Sequence, residues 1–362
     1  MTQRIAIRTD ASLRIGTGHV MRCLTLAGAL REKGAEVRFI SRALDGHLID
    51  RIEREGFAAD ILPAPDGTPL PEGGPAHAAW AEVPVARDAA ETAALLDRWP
   101  PDWLILDHYA FDREWESVAK PATTKLMVID DLADRPHIAD LLLDQNLGRQ
   151  ASDYAGLVPE TCTLLIGPRY ALLRPEFAEM RDAALKARAA RDPRHILVAM
   201  GGVDLPNMTS RVLDALSAAT LPKGTTVTVV MGRNAPALAA VQSRVEALPY
   251  PARLRIDAPD MAQLMAEADL AIGGVGVTTW ERCALGLPTL MIPIAENQWP
   301  LAKHMASINA AKLCEKLHEI ASDVENLLRR SEAAKLSETC SSICDGTGSI
   351  RVSRIVMSGD FH

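Results

Sequence analysis

Aromatic residues are scarce in this sequence: five Phe, six Trp and four Tyr make up 4% of 362 residues. Set beside abundant alanine, that scarcity argues against an all-β sandwich or a stacking-based RNA binder and suits helices packed on a sheet. Cysteine is also sparse. Cys23, Cys162, Cys283, Cys314, Cys340 and Cys344 are scattered without a Cys-x-x-Cys pair, which fits neither a secreted disulfide framework nor a zinc site, so reduced thiols are expected. Basic charge is not in excess: 39 Lys+Arg stand against 47 Asp+Glu, a net charge of −8, so the electrostatic footprint of a nucleic-acid binder is missing. No stretch approaches the roughly 20 apolar residues of a membrane span. Met1-Thr2-Gln3-Arg4-Ile5 leads straight into a short apolar run, so a cytoplasmic protein with neither nucleic acid nor membrane as partner is expected.

What is present is ordinary globular composition, 48% hydrophobic and 24% charged, over a length that suits two domains. Short β-branched runs alternate with amphipathic helical patterns from end to end, the pattern of successive βαβ units around parallel sheets. Strands are expected at residues 4–8, 37–41, 103–107, 126–130 and 141–144, with helices at 19–33, 87–98 and 113–119. Gly34 falls where a helix C-cap belongs, and the Pro- and Gly-rich residues 63–75 read as a loop. A polar helical stretch at 175–191 ends in Asp192-Pro193, and a strand pattern restarting at His195 marks the passage to the second domain. Counted with its connecting helix, that domain covers residues 174–362 and the first covers 1–173. Further strands are expected at 226–231, 254–257, 270–273 and 289–293, and Asp260 with Gln263 reads as a variant capping box. The expected fold is α/β, two Rossmann-like doubly wound domains facing each other across a cleft.

Gly16-Thr17-Gly18-His19 follows the first strand and opens the first helix, where glycine lets the backbone approach an anion. It is not the dinucleotide fingerprint: position 21 is Met21 rather than glycine, and strand two ends in Ser41-Arg42 without an acidic residue, which argues against NAD and leaves no cofactor implied. His19 can serve there as a general base or simply cap the helix. Arg22, one turn later, reaches the same side or is solvated. Asp107-His108-Tyr109 and Asp130-Asp131 each close a strand, where α/β proteins place functional side chains. With no histidine at ligand spacing beside the paired aspartates, no metal site is expected.

In the second half Gly201-Gly202-Val203-Asp204 leads from a strand into a helix, and Gly273-Gly274-Val275-Gly276-Val277-Thr278-Thr279-Trp280-Glu281 does so more emphatically. Gly202 and Gly276 permit close backbone approach to phosphate, Thr278 and Thr279 offer hydroxyls, and the Glu281 carboxylate can accept from two neighbouring ribose hydroxyls. Asn297 and Gln298, after the next strand, supply amides able to read sugar hydroxyls or N-acetyl groups.

These segments together resemble a known family, the UDP-2,4-diacetamido-2,4,6-trideoxy-β-L-altropyranose hydrolases of pseudaminic acid biosynthesis. The resemblance runs over nearly the whole chain: Arg8-Thr9-Asp10-Ala11-Ser12 with 15–23, Asp107-His108-Tyr109, Ile129-Asp130-Asp131 with Asp134-Arg135-Pro136-His137, 172–177, and 279–283 through Ala295-Glu296-Asn297-Gln298. Val275 and Val277 depart from the family's pattern of smaller or hydroxyl residues, and the segment from Asp345 onward fits only loosely. The resemblance implies a GT-B architecture, similar to the UDP-GlcNAc transferase of peptidoglycan synthesis, with UDP held mainly by the C-terminal domain.

It also implies a hydrolase that breaks the bond between the anomeric carbon and the phosphate oxygen of a UDP-sugar, with the family's catalytic histidine matching His19 as base. Gly18, Arg22, Asp107 and Tyr109 would then serve the substrate from the first domain. Gly202, Gly276, Thr278, Thr279, Glu281, Asn297 and Gln298 would serve it from the second. UDP is a good leaving group, so one base suffices where a conventional glycosidase needs two carboxylates. A GT-B glycosyltransferase and a UDP-sugar 2-epimerase share the architecture, and a non-catalytic sugar-nucleotide sensor would keep the Glu281 site without turnover. The sequence leaves protein partners open.

Overall fold

A computed structural model describes residues 2–359, apart from the side chain of Asn297. The chain forms two compact units: residues up to Leu172 together with those from Gly348 onward, and Leu173–Thr347.

The first unit is built on seven strands: β1 (Arg4–Thr9), β2 (Glu36–Arg42), β3 (Ala58–Leu62), β4 (Trp103–Asp107), β5 (Lys125–Ile129), β6 (Leu141–Asp144) and β7 (Thr163–Ile166). They pair in the order β3-β2-β1-β4-β5-β6-β7, all parallel. A parallel sheet covered on both faces needs strands apolar on both sides. Ile5, Ile7, Trp103, Ile105, Met127 and Ile129 accordingly pack into one core, and Ala6, Leu104, Leu106, Leu126 and Val128 into another. The first core lies under α1 (Gly18–Glu32), and the second under α3 (Val85–Arg98) and α4 (Arg113–Ala119); α2 (Ile49–Arg54) leads into β3. Gly34, at φ 88, ends α1 as expected, its N–H bonded to the Arg31 carbonyl at 2.9 Å. Below the sheet's carboxyl edge, fully buried Arg8 holds Asp10 at 2.6 Å and Asp88 at 2.7 Å, and Arg42 adds a second guanidinium on Asp88 at 2.7 Å. Burial opposes the charge of Asp88, but Arg8 and then Arg42 outweigh it and hold its carboxyl at about 2.

The second unit opens with the polar helix α5 (Pro175–Ala190) and has six parallel strands: β8 (His195–Ala199), β9 (Thr226–Met231), β10 (Ala252–Ile256), β11 (Leu270–Gly273), β12 (Thr289–Met291) and β13 (Lys312–Leu313). Their order, β10-β9-β8-β11-β12-β13, repeats the plan of the first sheet. The covering helices are α6 (Met208–Ala218), α7 (Leu238–Ala247), α8 (Met261–Glu267), α9 (Thr278–Ala284), α10 (Trp299–Ser307), α11 (Ile320–Leu327) and α12 (Arg330–Ile343). The capping box expected at Asp260 is not made. Arg255 takes that carboxylate at 2.9 Å, and Gln263 turns to Glu267 instead.

The last helix, α13 (Gly348–Ser358), corrects the expected boundary, which gave residues 348–362 to the second domain. Val352 and Val356 sink completely into the core beneath α1, so α13 belongs to the first unit. Gly348 permits that docking, because a Cβ there would stand 2.3 Å from the Ala171 carbonyl oxygen. Among the described residues no helix is long and apolar enough to cross a membrane.

Candidate active site

In each sheet the strand order reverses beside the central strand, between β1 and β4 and again between β8 and β11. Open α/β sheets bind ligands outside the carboxyl ends of the strands at such points. Several of the residues singled out from the sequence lie there, among them His19, Asp107, Gly202, Gly276 and Thr278.

In the first unit the loop after β1 folds back on itself, with Ser12 Oγ receiving the N–H groups of Arg14 and Ile15 and Gly16 turning at φ 82. It delivers Gly18 and His19 to the start of α1, with Gly18 exposed and His19 8% exposed. The end of β4 supplies Asp107, which is fully buried. His19 Nδ1 lies 2.6 Å from Asp107 Oδ1, and Arg22 clasps the same carboxylate through Nε and Nη2, both at 2.7 Å. Cys23 Sγ adds a fourth donor at 3.4 Å. Burial opposes ionisation of Asp107, but the Arg22 guanidinium and then His19 outweigh it and hold its carboxyl well below the usual carboxylate range. An ionised carboxylate only accepts, so the His19 proton belongs on Nδ1 and Nε2 is left as the basic nitrogen.

Arg22 is thus fully engaged. Its Nη1 donates to Asp131 at 2.5 Å, and the Tyr109 hydroxyl meets the same Asp131 oxygen at 2.5 Å, while the Tyr109 ring stands edge-on to His19 with centroids 4.5 Å apart. The structure brings His19, Arg22, Asp107 and Tyr109 together, with Gly18 next to His19 in the chain, but Arg22 and Asp107 face each other and His19. They orient the imidazole and present no free edge. Asp131, which the sequence offered only as half of an acidic pair, joins the cluster. Its neighbour Asp130 turns away to Arg135 at 2.8 Å and to the Tyr154 hydroxyl at 2.9 Å. His108 also points inward. Its Nδ1 accepts from the Ala110 N–H at 3.1 Å, and burial pushes its pKa down to about 4.

In the second unit Gly201, Gly202, Gly274, Val275, Gly276, Val277, Thr278 and Gln298 line a cavity of about 530 Å³ above β8 and β11. Glycine is required by contact at two places. A Cβ on Gly273 would lie 2.2 Å from Arg282 Nη1, and one on Gly232 would lie 2.5 Å from the Gly202 carbonyl oxygen. Buried Arg282 donates to the Gly274 carbonyl at 2.7 Å and to Thr279 Oγ1 at 3.3 Å, fastening the loop from beneath. Thr278 faces the cavity, whereas Thr279 is fully buried and its hydroxyl is used within the turn, accepting from the Gly276 N–H at 3.3 Å. Gln298 accepts the Ile294 N–H at 2.8 Å through its oxygen, which leaves its amide nitrogen to donate into the cavity. The Asn297 side chain lies outside the described residues.

Glu281 follows Thr278 by one turn of α9. Burial raises its pKa, against the pull of Arg174 and Arg282. Among the described residues none donates a hydrogen bond to this carboxylate. Its half-buried carboxylate is therefore an acceptor open to a donor from outside the protein.

Two doubly wound parallel α/β units with the strand order repeated define a GT-B protein, and the solved structures agree. Acinetobacter baumannii MurG superposes with a TM-score of 0.73 at 14% identity, covering 99% of this chain and 100% of that one. A putative UDP-N-acetylglucosamine 2-epimerase from Listeria monocytogenes gives 0.64 at 15% identity, over 99% and 97%. Residues 195–345 match the glycosyltransferase family 28 C-terminal domain. The UDP-2,4-diacetamido-2,4,6-trideoxy-β-L-altropyranose hydrolase of Campylobacter jejuni is 30% identical over 271 residues, 74% of this chain and 84% of that protein. The chain belongs to that hydrolase family.

Proposed function

We propose that the protein hydrolyses UDP-2,4-diacetamido-2,4,6-trideoxy-β-L-altropyranose to UDP and the free sugar, a step in pseudaminic acid biosynthesis. The observation that carries the reading is the contact between His19 Nδ1 and buried Asp107 at 2.6 Å, at the switch point of the first sheet. It makes Nε2 a base fixed in tautomer and direction. In the reaction Nε2 takes a proton from water as the water oxygen bonds to the anomeric carbon. The bond from that carbon to the phosphate oxygen breaks, and its electron pair leaves with UDP. A diphosphate leaves without prior protonation, so the step needs one base and no paired acid.

The second unit supplies the nucleotide site. Glu281 accepts the ribose hydroxyls, the Gly274–Thr278 loop approaches the diphosphate, and Gln298, with Asn297, donates to the sugar. Thr279 serves by holding the loop, and Gly202 by bounding the cavity. Gly18 leaves room beside the base, Tyr109 flanks the sugar, and Arg22 and Asp107 orient His19. The reading routes no step through a metal: Arg135 and Tyr154 hold Asp130, and Arg22 and Tyr109 hold Asp131.

Acceptor-free incubation with the UDP-sugar tests the proposal. UDP release by the wild type, unchanged by EDTA and abolished in His19→Gln while UDP still binds, is the expected result. Release only on addition of an acceptor alcohol identifies a transferase instead.

A further inference from the structure

The connection from β3 to α3, of which residues 63–75 read from the sequence as a loop, ends in a single 3-10 turn, Ala78–Ala81, with His77 at its N-cap and Trp80 within it. The Trp80 ring lies 5.7 Å from Tyr109, and His77 lies 4.7 Å from Trp80 and 5.7 Å from Tyr109. Tyr109 itself meets His19 at 4.5 Å. In a chain where Phe, Trp and Tyr make up 4% of residues, setting Trp80 against His77 and Tyr109 against His19 concentrates a scarce residue type. The turn is tied to the loop that delivers His19, because Arg14 donates to the Ala79 carbonyl at 3.2 Å.

A packing role alone accounts poorly for two features. First, Trp80, His77 and Tyr109 are all half-buried, whereas the structural indole nearby, Trp115, is 1% exposed and donates to Asp88 at 2.9 Å. Second, His77 Nδ1 is buried with no hydrogen-bond partner, while the Tyr109 hydroxyl is satisfied by Asp131. Buried polar atoms in native proteins are generally paired, and packing alone gives no reason for this one to be left without a partner. Aromatic faces attract C–H edges and methyl groups, and a hydroxyl pressed against them loses its water without compensation.

We infer that Trp80 and His77, with Tyr109, form the surface that selects the sugar: the rings take its methyl-bearing edge. The ligand class is a deoxy, N-acylated hexose, and the surface discriminates against a hydroxymethyl-bearing analogue. This inference rests on the hydrolase reading of the His19 site.

The test compares wild type, Trp80→Leu and Trp80→Phe on the 6-deoxy UDP-sugar and on its 6-hydroxy analogue, with UDP inhibition measured alongside. Trp80→Leu is expected to raise KM for the deoxy substrate on the order of tenfold and to shrink the preference over the hydroxy analogue by a similar factor. UDP inhibition should stay unchanged, and Trp80→Phe should keep most of the preference. Equal loss on both substrates, or no loss, overturns the inference. If the wild type releases no UDP at all, the hydrolase reading has failed, and saturation-transfer NMR on the bound UDP-sugar still decides this point. Methyl saturation weakened in Trp80→Leu and in His77→Gln supports the surface. Saturation unaltered in both variants overturns it.

Discussion

His19 and Asp107 share one short hydrogen bond, 2.6 Å from ring nitrogen to carboxylate oxygen, although 88 residues separate them in the chain. β1 and β4 are neighbours in register, Thr9 opposite Asp107, so the sheet itself sets the pair. Asp107→Asn would replace an acceptor-only group by one that can donate, which permits the wrong imidazole tautomer. The expected outcome is a fall in kcat on the order of 10²-fold to 10⁴-fold, with KM little changed. Steady-state kinetics check it, with a melting curve to register the loss of the Arg22 pairing.

Glu281 predicts a pH effect whose sign can be worked out. Burial raises its pKa in the free protein, and ribose hydroxyls donating to the ionised form would lower it again. Binding of UDP then releases a proton as pH falls into the range of the raised pKa, and affinity declines there. Glu281→Gln should weaken UDP binding on the order of tenfold at neutral pH and remove that decline. Calorimetry in two buffers of different ionisation enthalpy reads both the affinity and the proton count.

Gly273, at the end of β11, and Gly276, in the loop that follows, should behave differently. Gly273→Ala drives a Cβ into Arg282 and toward the Ala199 carbonyl oxygen at 3.0 Å, and overpacking of this kind costs about 1–3 kcal/mol of stability. A Cβ on Gly276 meets nothing within 4 Å, so Gly276→Ala should fold normally and lose UDP affinity by crowding the ligand. Thermal unfolding beside UDP titration separates the two. A Gly276→Ala protein with unaltered UDP affinity would remove that loop from the diphosphate site.

The regular parts of the fold were legible because both-faced apolar strands and amphipathic helices announce themselves by period, and β4 and β6 match their expected bounds residue for residue. Edge strands β3, β7 and β13 were missed. They are short, and their burial is partial or mixed, so their sequences carry little pattern. The return of α13 to the first unit depends on Val352 and Val356 finding a core laid down some 300 residues earlier, which no local signal encodes. In the site, residue types were readable but their directions were not. Nothing in Thr278-Thr279 tells which hydroxyl faces the cavity, and nothing in Asp130-Asp131 tells that Arg135 takes one and Arg22 the other. Trp80 and His77 fall after the loop expected at 63–75 and carried no expectation, although a Trp three residues after a His is a signal in a chain so short of rings.

The most direct test of the central claim is where the oxygen of water goes. The wild type is supplied with the UDP-linked 2,4-diacetamido-2,4,6-trideoxy sugar in ¹⁸O-water, and UDP and free sugar are weighed by mass spectrometry at early times, before the free sugar exchanges its anomeric oxygen with solvent. Attack by His19-activated water at the anomeric carbon predicts label in the sugar and none in UDP. Label in the β-phosphate of UDP would mean that the phosphorus is the atom attacked, and would contradict the account.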